Sequence, residues 1–238
     1  MIINKHKAIF VHIPKSAGTS VSHYFHDSSQ KKKPGMHDDI HQIKKTYPDL
    51  YESYKKFSIV RNPYDKMVSW FFYLKSHEDI CIDILQFSDN IKSFYKNRST
   101  SFKKGDSLDF LEFNAWIKDF SVFQIAINKL VDFYEDLASK VALIPSAHKI
   151  ENISGKRWLG DGNSFLNPQH TWLDDTVKVI KFENINKELS DFFKMEINLP
   201  YKNESNHNHY STYYNEESLD IVYNKYKEDF EKFNYNKI

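Results

Sequence analysis

Two short segments hold most of the groups in this chain that could do chemistry. In KAIFVHIPKSAGTSVSHYF, residues 7–25, an apolar run leads into Lys15, Ser16, Ala17, Gly18, Thr19 and Ser20. In KFSIVRNPYDKMVSWFFYL, residues 56–74, a second apolar run ends at Arg61, and Ser69 follows two helical turns later. Small residues after a strand let backbone N–H groups approach an anion, and a following helix start adds partial positive charge. Lys15 adds a full charge, and three hydroxyls add donors. A guanidinium can fork onto a phosphate, and a hydroxyl further along the helix could bond the same group. Such a pair of turns suits a ligand that carries phosphates at two separate places.

The first turn is not a Walker loop. That motif needs a glycine before the lysine and a hydroxyl residue directly after a Gly-Lys pair. Here the lysine comes first and the glycine later, and no Asp-ended strand points to a magnesium site.

The elements that must position these groups follow from the hydrophobic pattern. The runs at 8–13, 57–60 and 177–182 are β-branched and apolar, as expected of buried parallel strands. Thr19 or Ser20 is expected to cap a helix to about residue 25. Asn62 is a good N-cap and Pro63 a good first helical residue for a helix from 63 to about 76, with Met67, Trp70 and Phe71 at helical spacing. Residues 37–54 read as weakly helical, interrupted by Pro48. Helices are also predicted over 107–119, 120–138 and to about 193 after Asn184, with a C-terminal helix over 216–233. Leu219, Val222, Tyr226 and Phe230 form the stripe of that last helix. Strands alternating with helices predict an α/β fold with a central parallel sheet, and ligands on such sheets bind beyond the carboxyl ends of the strands. Both polar turns fall there.

Composition limits the alternatives. The 238 residues suit one domain over 1–238, with 80–105 as a variable insertion. Lys+Arg is 33 against Asp+Glu 32, so no global field draws nucleic acid or an anionic membrane. The one cysteine, Cys81, allows no internal disulfide. No signal-peptide pattern precedes the first strand and no apolar run is long enough to span a bilayer, so a cytoplasmic protein is expected.

Taken together, HIPKSAGTS (residues 12–20) and VRNPYDKMVSWF (residues 60–71) resemble the sulfotransferase superfamily, in particular the carbohydrate sulfotransferases of family 2 type. The first resembles that family's 5′-phosphosulfate loop and the second its 3′-phosphate motif. NPQHTWL at 167–173, VIKFENI at 179–185, the Tyr-rich stretch at 206–214 and KYKEDFEKFNY at 225–235 resemble further landmarks.

The resemblance implies a three-layer αβα fold related to the P-loop NTPases. It also implies transfer of a sulfuryl group from 3′-phosphoadenylyl sulfate (PAPS) to a carbohydrate hydroxyl, with no metal. Lys15 would contact the oxygen bridging phosphate and sulfate. Ser16, Ala17, Gly18, Thr19 and Ser20 would hold the 5′-phosphate, and Arg61 and Ser69 the 3′-phosphate. The acceptor hydroxyl needs a base, which the glycan enzymes place between the two motifs. His37, His41, Asp38 and Asp39 are the candidates. His37 is favoured, since its place ahead of the Arg61 strand resembles the histidine of uronyl 2-O-sulfotransferases. Gln169, His170 and Trp172 are expected to line the acceptor cleft, with Lys156, Arg157 and Trp158 as weaker candidates. Two rival readings remain open: a P-loop-like small-molecule kinase, and a non-catalytic glycan-binding protein on the same fold.

Overall fold

The structure, a computed structural model, describes residues 1–25, 38–76, 113–118, 166–200 and 207–238. Within the chain two compact units separate: Met1–Trp70 with Asn167–Ile238, and Phe71–Leu166.

The first unit is built on four strands, β1 (Ile2–Ile3), β2 (Ala8–Val11), β3 (Lys55–Val60) and β4 (Val177–Lys181), in spatial order β1-β2-β3-β4. β2, β3 and β4 run parallel, with Val11 opposite Ser58 and Val60 opposite Lys181. β1 adds an antiparallel edge, with Ile3 opposite Ala8. The short β1 was not expected from the pattern, because two apolar residues carry no periodicity.

Alternation along the strands divides the core between two faces. Ala8, Phe10, Phe57, Ile59 and Ile180 pack with Val21 and Phe25 on one side, together with Leu189 and Phe193 of a helix at Ile185–Phe193. Ile9, Val11, Val60 and Val177 pack on the other side with Ile40, Ile43, Tyr51, Trp172 and Phe233. A sheet buried on both faces between helices is the three-layer arrangement expected; β2 is accordingly apolar and buried throughout, while Lys55, Lys56, Lys178 and Lys181 take exposed or half-exposed positions of β3 and β4.

The helices follow local chemistry. α1 covers Gly18–Tyr24. α2 (Ile40–Thr46) starts in a capping box: the Asp39 carboxylate accepts from Gln42 N, and the Gln42 side chain accepts from Asp39 N. α3 (Pro48–Ser53) has Pro48 in its first turn, so the predicted interruption is a boundary between two helices. α4 (Pro63–Ser76) starts as expected: the Asn62 side chain accepts from Tyr64 N at 2.9 Å. It runs across the boundary between the units. In the second unit Phe71 packs edge-on against Phe113 of α5 (Phe113–Lys118), and its ring lies 5.5 Å from that of Trp116.

After β4, α6 is the helix at Ile185–Phe193. The predicted C-terminal helix is two helices, α7 (Glu216–Lys225) and α8 (Lys227–Lys232), separated at Tyr226 by backbone angles of φ −110 and ψ 22. No helix among the described residues is long and apolar enough to cross a membrane.

Candidate functional site

Because β2, β3 and β4 are parallel, the residues that follow them share one edge of the sheet. The turn at Lys15 follows β2, Arg61 follows β3, and Phe182 and Glu183 follow β4. Neighbouring strands lie about 4.8 Å apart, so these three exits form a compact row.

The first turn is unusually bent. Lys15 and Ala17 both lie in the left-handed region, with φ 65 and 56, and neither is glycine. Such residues cost on the order of 1–3 kcal/mol each and persist where surrounding structure over-determines them. Left-handed residues alternating along a turn are the geometry of backbone concavities that bind anions. The structure corrects the expected cap. Ala17 is the N-cap of α1, and the first intrahelical bond runs from Val21 N to Ala17 O. Thr19 and Ser20 therefore lie inside the first turn, and the N–H groups of Gly18, Thr19 and Ser20 precede that bond.

Gly18 has a steric reason. A Cβ at this position would lie 1.6 Å from Nε2 of His12. His12 is buried and stacks on Phe10, with ring centroids 5.5 Å apart. The imidazole thus lies against the backbone of the turn.

Arg61 reaches the first turn directly. Its Nη1 donates to the Lys15 carbonyl at 3.2 Å, and its Nε donates to Asp65 Oδ2 at 2.6 Å. The guanidinium also lies over the Phe182 ring, 4.4 Å from the centroid. Ser69 lies one turn beyond Asp65 on the same face of α4 and is buried. Burial, and then the charge of Arg61, pull the Lys15 ammonium down to about 7. The guanidinium whose charge acts on Lys15 is itself paired with Asp65.

A cleft of about 770 Å³ opens beside this cluster, lined among others by Asn62, Asp65, Phe182, Glu183, Tyr210 and Tyr235. Its volume falls within the range of about 300–1,000 Å³ of small-molecule sites. Its walls are tied to the strand ends. Glu183 accepts from Asn62 N at 3.2 Å and from the Tyr235 hydroxyl at 2.9 Å, and Asn62 Nδ2 donates to the Tyr210 hydroxyl at 3.3 Å. Burial, then Glu183, push the Tyr235 phenol well above its ordinary range.

A model of the sulfotransferase family matches residues 1–236. The chain belongs to the sulfotransferase family. Neither the curated proteins nor the solved structures gave a match. Sulfotransferases generally take their sulfate from PAPS, and the family implies an acceptor substrate.

In this sulfotransferase the remaining candidates are placed as follows. His37 lies outside the described residues, as do Cys81, residues 80–105, Lys156, Arg157 and Trp158. Asp39 is the cap of α2. His41 is exposed on α2, the helix that begins at the Asp39 cap. Asp174 accepts from the Tyr51 hydroxyl at 2.7 Å and precedes β4, so it marks the amino edge of the sheet. Arg61 stands at the other end of β3, about 17 Å away for a strand of this length.

Gln169, His170 and Trp172 form a 3-10 turn, Gln169–Trp172, whose contacts point inward. Trp172 is buried beside Ile9 and Val177, because a large apolar ring covers the sheet better than it lines an open cleft. The Gln169 amide is wholly buried between the two motifs. Its Oε1 accepts from Arg61 N at 3.0 Å and from Ser16 Oγ at 3.4 Å, and its Nε2 donates to Arg61 O at 2.8 Å. His170 turns the other way, with Nδ1 2.8 Å from Asp229 Oδ1 and Nε2 3.2 Å from Glu228. Gln169 and Trp172 are thus buried among protein contacts, whereas His170 is half-buried.

Two residues went unnoticed in the sequence. Asp229 is fully buried on α8, and Lys66 is buried on α4. Lys66 Nζ donates to Asn167 O at 3.3 Å. Burial lowers its ammonium to about 8, against the raising pull of Asp229. Asp229 was detectable as an acid on the apolar stripe of the C-terminal segment, three residues after Tyr226. Lys66 left no such signal.

Proposed function

We propose that this sulfotransferase moves a sulfuryl group from PAPS to a hydroxyl of a carbohydrate acceptor. The observation that carries the reading is the direct contact of Arg61 with the Lys15 turn at the carboxyl edge of the sheet. Two phosphate-binding side chains are thereby within reach of one nucleotide. The donor would lie along the row of strand ends. Its 5′-phosphosulfate would sit at the Lys15 turn, its 3′-phosphate by Arg61 and Ser69, and its nucleoside toward the aromatic cleft at Phe182, Tyr210 and Tyr235, whose rings suit the flat face of a base.

In the transfer the acceptor oxygen forms a bond to sulfur while the bond from sulfur to the bridging oxygen breaks. Charge develops on that bridging oxygen, and a protonated Lys15 stabilises it. The acceptor proton passes to a base, assigned to His37. The leaving group is adenosine 3′,5′-bisphosphate. The carbohydrate acceptor rests on the resemblance of the two motifs to carbohydrate sulfotransferases.

The test is incubation with PAPS labelled in the sulfate and a panel of glycans. Label recovered on a glycan, and lost in Lys15→Ala, supports the reading. Tight binding of adenosine 3′,5′-bisphosphate with no label on any acceptor would favour a binding protein. Phosphate transfer from ATP with magnesium would favour a kinase.

A further inference from the structure

We propose that Gln169 is the positioning residue that sets the spacing between the two phosphate-binding motifs, and that Asp229 acts through it. The inference rests on the donor reading above. The Gln169 side-chain amide pairs with the Arg61 peptide in both directions, accepting from its N–H and donating to its carbonyl. The same Oε1 takes the Ser16 hydroxyl. One fully buried side chain thus spans from the turn after β2 to the end of β3.

Gln169 is itself held from α8. Asp229 Oδ2 accepts from Gln169 N at 2.7 Å, and Oδ1 accepts from His170 N at 2.9 Å. These are charge-assisted bonds to N–H groups at the start of a 3-10 turn, stronger than neutral ones. Lys66 steadies the same segment from α4 through the Asn167 carbonyl.

The chemistry of the amide is specific. Glutamate has the same shape but would set an acceptor against the Arg61 carbonyl, where Gln169 now donates. In the same way, asparagine at 229 replaces one of two accepting oxygens with a donor. Each change breaks one bond of the bracket while leaving its volume in place. Arg61 and the Lys15 turn would remain, but their separation would no longer be fixed. A ligand that must satisfy both would suffer more than one that needs only the first.

The experiment measures dissociation constants of adenosine 3′,5′-bisphosphate and adenosine 5′-monophosphate by calorimetry, for the wild type, Gln169→Glu, Asp229→Asn and the double variant. Circular dichroism verifies folding, and Gln169→Leu replaces any variant that does not fold. The wild type is expected to prefer the bisphosphate. Each single variant is expected to lose about threefold to fivefold of that preference, and the double variant about as much as the more affected single, because the two residues act in series. A wild type that prefers the bisphosphate, with variants that keep the preference, would overturn the positioning role and leave the donor reading intact. Independent, multiplying losses would overturn the claim that Asp229 acts through Gln169. A wild type with no preference would overturn the donor reading, and this inference with it.

Discussion

The ammonium of Lys15 provides a sharp quantitative test. Its pKa is drawn down to about 7, by burial first and by Arg61 second. An anionic donor would stabilise the protonated form and return the pKa toward its ordinary value of about 10.5. Binding must therefore take up a proton at any pH between those two values. At pH 8 about nine in ten free Lys15 side chains are neutral, so uptake approaches about 0.9 proton per nucleotide. The sign follows: affinity is highest when Lys15 is already charged and falls as pH rises through 7. Between pH 7 and pH 9 the loss should be about fifty-fold, since the neutral fraction must be recharged at each pH. The ligand's phosphates, with second pKa values of about 6, are ionised throughout this window. Calorimetry of adenosine 3′,5′-bisphosphate binding in two buffers of different ionisation enthalpy reads the uptake directly. Lys15→Arg keeps the charge without titrating and should bind with no uptake at pH 8, while Lys15→Ala should abolish sulfuryl transfer. Zero uptake in the wild type would refute the reasoning. So would full uptake in Lys15→Arg, since another group, such as Lys66 with its value of about 8, would then carry the proton.

Two further outcomes are expected. Gly18→Ala must displace His12, whose Nε2 would lie 1.6 Å from the new Cβ. Nucleotide affinity should fall by about tenfold or more, the scale of losing one or two hydrogen bonds to a charged group. An unchanged dissociation constant would show that the turn does not depend on that contact. His37→Ala should lower turnover by about 10²–10⁴ with donor affinity intact, the range for loss of a general base, whereas His41→Ala should leave both unchanged. If His41→Ala is the damaging change instead, the base has been misassigned.

The two strand–turn–helix segments were legible because each combines a short β-branched run with local punctuation. Asn62 and Pro63 begin α4 as their chemistry requires, and Gly18 marks the first turn. Other features depend on contacts far apart in sequence. The Gln169 amide meets partners 108 and 153 positions away, and its backbone is held by a carboxylate 60 positions away. No local pattern records such distances, so Gln169 and Trp172 read as residues lining an acceptor cleft. Lys66 misleads for a different reason: a lysine on an amphipathic helix is ordinarily solvated, and only packing against α8 and residues near 167 buries it. The break at Tyr226 is equally silent, because the apolar stripe runs through it without interruption. The positive φ values at Lys15 and Ala17 could not be read either, since neither residue type announces that conformation.

The central claim is that the Lys15 turn and Arg61 bind one nucleotide carrying two phosphates. Its most direct measurement is the affinity of wild type and Arg61→Ala for adenosine 3′,5′-bisphosphate beside adenosine 5′-monophosphate. The wild type should prefer the bisphosphate by about tenfold to a hundredfold, the scale of a charge-assisted contact, and Arg61→Ala should erase that preference while still binding the monophosphate. Equal affinities in the wild type, or a preference that survives in Arg61→Ala, would contradict it.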